Sequence, residues 1–125
     1  MVAALLQERG GKAVMQVLHR LDAIFSSCLL EAELRSVFRR ESLDPQLVEP
    51  ALAAIRWVMP DRPLRGEIQK TLQSGYLRGA DLWHVACALY LARQPEELPF
   101  LTLDKDQKAV AARLGFPTSI PGPTH

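Results

Sequence analysis

Asp104 closes the stretch "LPFLTLD", an apolar run from Leu98 to Leu103 that reads as a buried strand, and a helix pattern opens two residues later. The crevice beyond the carboxyl ends of parallel strands is where open α/β sheets bind ligands, so a carboxylate at that lip is placed for chemistry. The plain alternative is a turn aspartate, with Asp106 capping the next helix. Thr102 precedes Asp104 by two residues and should point to the same side of the strand. Asp81 opens "GADLWHVACALYLARQ", the most apolar helical stretch of the chain. There a negative charge already complements the helix macrodipole. Glu33 stands on a helix edge bracketed by Leu29 and Val37, one turn to either side. It borders the core and costs desolvation unless something positive meets it. Arg40, two turns on, is the candidate partner along that edge.

The other acidic residues have comfortable explanations. Glu31 can pair with Arg35 one turn on, Asp44 can cap a helix, and Glu96 and Glu97 belong to a polar loop. If Glu33, Asp81 and Asp104 converge, they repel one another, and some stay protonated unless a cation neutralises them. A hard divalent ion with oxygen ligands answers that problem. Mg²⁺ takes one or two carboxylates directly and keeps several waters, leaving room for a phosphate oxygen. Such a site polarises a phosphodiester and supplies a hydroxide-like nucleophile. His84, one turn after Asp81, reads as a satisfied, partly buried histidine, not as a ligand.

The elements that must position these groups alternate helices with short apolar strands. "MVAALLQER" reads as a helix ending at Gly10-Gly11, and a second helix carries Val14, Val17, Leu18 and Leu21 on one stripe. "AIFSSC" is β-compatible. A helix over Leu29 to Arg40 follows, with Leu30, Leu34, Val37 and Phe38 inward. "DPQLVEPALAAI" opens with Asp44 as cap and Pro45 at the first helical position, and Pro50 should kink or interrupt it. "RWVMP" is a strand candidate, and a helix from Leu64 to Gln73 stops at Ser74-Gly75. The apolar helix around Asp81 should be covered on more than one face. After "LPFLTL" comes the helix "DQKAVAARLG" with Gly115 as its stop, then "PTSI" as a possible edge strand. This alternation predicts an α/β layer fold on a parallel sheet.

At 125 residues the chain suits one domain, expected over residues 1–120 with 121–125 as a flexible tail. Its 15 basic and 14 acidic residues give a net charge of +1, which excludes a strongly polybasic protein but permits a local basic groove. No run approaches the length needed to span a membrane, and the start lacks a basic region and cleavage site for secretion. Cys28 and Cys87 read as buried, reduced thiols of a cytoplasmic protein. No zinc spacing, glycine-rich phosphate loop or Ser-His-Asp arrangement can be read.

The stretches "SSCLLEAELRS", "LRGADLWHVACALYLA" and "FLTLDKDQKAVAARLGF" resemble, in order and distance, the three downstream motifs of PIN-domain nucleases, most closely the VapC toxins of toxin–antitoxin pairs. The resemblance implies a three-layer α/β/α sandwich on a parallel sheet and an endoribonuclease dependent on Mg²⁺ or Mn²⁺. It also implies a homodimer and a small VapB-like antitoxin covering the acidic cleft, with DNA met only through that antitoxin. Carried over position by position, the family's acidic residues fall on Glu33, Asp81 and Asp104, and Thr102 matches the threonine that orients the last aspartate. A fourth acidic residue comes first in the family, on a central opening strand before a helix. Here "MVAALLQERGG" resembles that helix, so the chain is expected to begin just after the missing aspartate; Asp22 comes too late to replace it.

Two functions follow. The first is a metal-dependent ribonuclease in which Arg35, Arg39, Arg40, Arg78 and Lys105 are candidate phosphate contacts, Arg39 reading best as solvated surface. The second is a truncated relative that binds an antitoxin-like partner through a helix-accepting groove without catalysis. A helix-turn-helix regulator fits poorly, because the late helices are too apolar or too mixed to serve for recognition.

Overall fold

A computed structural model of the chain describes residues 24–119. The two helices expected before residue 24, Asp22 and the expected C-terminal tail lie outside the described residues. Strand β1 (Ile24–Ser27) leads into helix α1 (Leu29–Arg40), followed by α2 (Pro45–Ala53), β2 (Ile55–Val58), α3 (Arg65–Ser74), α4 (Gly79–Leu91), a 3₁₀ turn (Pro95–Glu97) and α5 (Lys105–Arg113). β1 and β2 pair in parallel, Ile24 opposite Ile55 and Ser27 opposite Val58. This is an α/β arrangement with a small parallel sheet, as the alternation predicts.

The periodicity of α1 explains its packing. Leu30, Leu34 and Phe38 recur every fourth residue and all are buried, while Val37 is only half-buried. Each fully buried side chain of this size contributes roughly 1.5–3 kcal/mol. They share one core with Ile24, Leu52, Ile55, Val85, Phe100 and Phe116, and the Phe100 and Phe116 rings are tilted with centroids 5.9 Å apart. α2 begins as expected: Asp44 Oδ1 accepts the Gln46 N–H at 2.9 Å, with Pro45 first in the helix.

Pro50 does not interrupt α2, which runs on to Ala53. The exposed ring sacrifices one backbone donor, and buried Val48 and Leu52 on either side hold the helix to the core. Strand β2 starts at Ile55, one residue earlier than the sequence pattern suggests.

α4 is the central element. Five consecutive residues, His84 through Ala88, are buried, which is possible only where neighbours cover more than one face. Val85 and Ala88 belong to the main core, and Ala86 and Cys87 to a second cluster with Val58 and Leu64. Burial pushes the Cys87 thiol up to about 12. Cys28, expected to be buried as well, is exposed: it sits at the N-cap of α1, where the chain turns out of the sheet. Among the described residues no helix is long and apolar enough to cross a membrane.

Leu98–Leu103 departs most from expectation. Leu98 and Phe100 are buried, but the segment forms no ladder among the described residues. Pro99 has no N–H to give, and the Phe100 N–H is donated to the Pro117 carbonyl at 2.7 Å. Leu103 is exposed. Residues 117–119 of the "PTSI" candidate likewise form no strand.

Gly75 ends α3 with φ +156° and ψ 159°, a region essentially reserved for glycine. An added Cβ would lie 2.8 Å from Val110 Cγ2 and 2.9 Å from Arg113 Nη1, the same guanidinium that donates to the Ser74 carbonyl at 2.7 Å. Gly75→Ala should therefore cost about 1–3 kcal/mol in thermal or urea unfolding. Gly66→Ala, in an α3 turn where nothing lies within 4 Å of the added carbon, should stabilise by ~0.4–1 kcal/mol. Equal effects of the two substitutions would contradict this account of the α3–α5 junction.

Candidate functional site

The three acidic stretches are joined by hydrogen bonds at the first two turns of α4. Asp81 lies in the first turn, half-buried, and its backbone carbonyl accepts from Gln107 Nε2 at 3.1 Å. Gln107 is itself 2% exposed. Its Oε1 accepts the Thr102 hydroxyl at 2.6 Å, and its backbone N–H is donated to Asp104 Oδ1 at 2.8 Å. Thr102 Oγ1 in turn accepts the Asp104 N–H at 3.1 Å. One buried glutamine, through its side-chain amide and its backbone N–H, thus binds Thr102, Asp104 and the opening of α4 into a unit.

The local cause is a helix start. Asp104 is the N-cap of α5 and Gln107 its third residue, the spacing of a capping box. Here the glutamine reaches the cap N–H through the Thr102 hydroxyl instead of directly. The cap is Asp104, not Asp106, which sits in the first turn. Capping occupies Oδ1 and leaves the second carboxylate oxygen for a cation or a bound water. Thr102 and Asp104 are joined through the Asp104 backbone N–H, not by sharing one face of a strand, since the segment forms none among the described residues.

Glu33 reaches α4 by a different route. Its Oε1 lies 2.8 Å from His84 Nε2, and His84 Nδ1 lies 2.8 Å from Ser27 Oγ. An ionised carboxylate has no proton to give, so Nε2–H donates to Glu33; in the neutral ring Nδ1 then accepts, and the Ser27 hydroxyl donates to it. The partner of Glu33 is therefore His84, not Arg40, which stands 3.8 Å from Glu41. His84 is satisfied on both nitrogens and is more deeply buried than its sequence position suggests.

Serine, histidine and glutamate in series resemble a hydrolase triad, but their depth order is reversed. A nucleophilic serine must meet substrate while its acid is buried behind the histidine. Here Ser27 is 2% exposed and the Glu33 side chain 35%. The chain of bonds presents the carboxylate, not the hydroxyl.

The basic residues sort by partner. Arg35 is committed to Glu31 at 2.9 Å and to Glu49 at 2.7 Å; that pairing holds the Glu49 carboxyl below its ordinary value and raises the guanidinium. Arg35 is thus a surface tie between α1 and α2, not an available phosphate contact. Arg39 is exposed surface, as expected. Arg78 and Lys105, also exposed, immediately precede α4 and open α5, beside the two aspartates. An open groove of about 580 Å³ near Arg35, Arg39 and Ser42 is lined by none of Glu33, Asp81 and Asp104. Among the described residues, no group of three or more His, Cys, Asp or Glu side chains is gathered closely enough to hold a metal ion. The acidic stretches meet on α4, but their side chains do not form a compact three-ligand cage.

A family model of the PIN domain matches residues 1–113. The chain belongs to the PIN-domain family. No curated protein and no solved structure matched. PIN domains are generally nucleases that act on nucleic acids and typically use divalent metals, and membership accounts for helices set around a parallel sheet.

Sequence reading did not find Gln107, Ser27 or the Glu33 pairing. For Gln107 a signal was present in "DKDQ", Asp followed three residues later by Gln at a helix start. Gln107→Leu keeps the approximate volume but removes the acceptor of the Thr102 hydroxyl proton and the side-chain donor to the Asp81 carbonyl. Chemical denaturation should show a loss of about 1–3 kcal/mol. Unchanged stability would mean that the amide does not join α5 to α4.

Proposed function

We propose that this PIN domain is a divalent-metal-dependent endoribonuclease of the VapC toxin type, with Glu33, Asp81 and Asp104 supplying oxygen ligands to Mg²⁺ or Mn²⁺. The observation that carries the reading is the joining of all three acidic stretches at the first two turns of α4, through His84 and Gln107. The donor set is all oxygen, which suits a hard cation. Mg²⁺ itself takes one or two carboxylates directly and keeps several waters.

Held by these carboxylates, a divalent ion would supply Lewis-acid chemistry toward a phosphodiester and its attacking water. The residues do the rest. Thr102 fixes the Asp104 backbone, Gln107 fixes Asp104 against α4, and Arg78 and Lys105 meet the phosphates. Short single-stranded RNA contacts suit a chain of net charge +1, because affinity for a duplex is built from many phosphate contacts. A homodimer, an antitoxin over the acidic face and a cytoplasmic setting complete the reading, on the strength of the motif resemblance.

A second reading, a binding module without turnover, draws on the structural bonds these carboxylates already make: Asp104 caps α5 and Glu33 is held by His84. The assay that separates the two is cleavage of structured RNA in Mn²⁺ or Mg²⁺, with and without EDTA. Asp104→Asn preserves a competent cap and Glu33→Gln preserves an acceptor for His84, so neither should unfold the domain. Changing a group that merely orients a ligand costs about 10–100-fold, and removing a ligand charge should cost at least as much. Metal-independent cleavage, or cleavage indifferent to both substitutions, would defeat the nuclease reading.

A further inference from the structure

We infer that the open groove between α3 and the C-terminal end of α4 is a second RNA contact, in which Lys70 and Arg93 hold phosphates of a single strand. The inference rests on reading the chain as one that acts on RNA, and it adds a binding surface that needs no metal ion.

Three observations carry it. First, the groove, about 470 Å³ in volume, holds more cations than anions, and the excess is available. Arg62 is taken: it donates to both Glu67 oxygens, and its guanidinium stands 5.3 Å from the centroid of the Tyr90 ring. That pairing neutralises Glu67 and holds its carboxyl below the ordinary value. Lys70 and Arg93 are exposed, and neither meets a carboxylate among the described residues. Glu96 is turned towards Gly115 instead, its Oε2 lying 2.9 Å from where a Cβ would stand there. Second, the two cations come from different elements, Lys70 from α3 and Arg93 from just beyond α4. Either alone is ordinary solvated surface; the groove is what they share. Third, Leu89, Ala92 and Pro95 give the same groove an apolar lining, half-buried.

Point charges beside an apolar wall suit a strand of nucleotides, which presents phosphates in series with flat base faces between them. Membership of a family that acts on nucleic acids favours RNA over an acidic peptide. The groove is lined by none of Glu33, Asp81 and Asp104. Leu89 and Ala92 follow Asp81 along α4, and at about 1.5 Å per residue they stand roughly 12 and 16 Å from it along the axis. This contact is therefore separate from the acidic stretches.

The test is run in EDTA, so that neither metal nor cleavage enters. Fluorescence anisotropy of a labelled oligouridylate, followed over a range of salt, reads both affinity and the number of phosphates engaged. Lys70→Gln and Arg93→Gln should each weaken binding several-fold at low salt. Each should also flatten the log–log salt dependence by about 0.7, and the double variant by about twice that. An oligoadenylate should show the same losses, because phosphate contacts carry no sequence information. Arg65→Gln removes an equal charge from the α3 face that carries Ile68 and Leu72; it should keep the parental slope. Melting temperatures of the three single variants should match the parent, since all three side chains are exposed.

A parental slope in the double variant, an equal loss in Arg65→Gln, or no RNA binding by the parent overturns the inference. Preference for polyglutamate over RNA, with the same dependence on Lys70 and Arg93, also overturns it and marks the groove as a protein contact. Cleavage in Mn²⁺ keeps the two readings apart. If the parent cleaves RNA and the groove variants bind as it does, only the groove fails. If the parent binds RNA through Lys70 and Arg93 but cleaves none, only the nuclease reading fails.

Discussion

A polar ring placed in the middle of the most apolar helix must have both its nitrogens satisfied, and the site follows from how His84 meets that demand. An unpaired buried donor or acceptor costs about 1–3 kcal/mol, so the ring can sit in α4 only if a partner lies on each side of it. Ser27 is delivered from the end of β1 and Glu33 from the second turn of α1. The same contact that makes His84 tolerable in the core draws a carboxylate to the opening of α4. Packing and site construction are one event here.

Gln107 repeats the logic at the other side of α4. A buried primary amide needs donors and acceptors, and it finds them in the Thr102 hydroxyl and in the first turn of α4, while the backbone N–H of the same residue goes to the helix cap. Two buried polar residues, His84 and Gln107, join three acidic stretches that lie far apart in sequence. The surface ion pairs have a humbler role. Arg35 with Glu31 and Glu49, and Arg62 with Glu67, lie at the surface, and exposed pairs contribute little to stability. They do decide which cations remain available, and that directs attention to Arg78 and Lys105.

Much of this is legible from local pattern. The every-fourth-residue spacing of Leu30, Leu34 and Phe38, the Asp44-Pro45 start and the all-round apolar character of α4 depend on neighbours in sequence, and the structure bears each of them out. Leu98–Leu103 misleads for an instructive reason. Apolar content makes a segment buried, but a strand also needs an adjacent backbone to pair with, and among the described residues none pairs with this one. Pro50 misleads because its cost cannot be weighed without the packing of Val48 and Leu52. The Glu33–His84 and Ser27–His84 bonds span 51 and 57 residues, beyond any spacing rule; only a buried histidine in need of partners hints that they must exist.

The central claim is that the acidic stretches of this PIN domain serve one cation at the opening of α4. Its most direct test is the map of amide signals broadened by substoichiometric Mn²⁺, which reports proximity to the ion without requiring turnover. The account predicts that broadening appears first around Glu33, Asp81 and Asp104, with Gln107 and His84 close behind. Broadening that begins elsewhere, around Glu96 and Glu97 or evenly over the acidic surface, would contradict it.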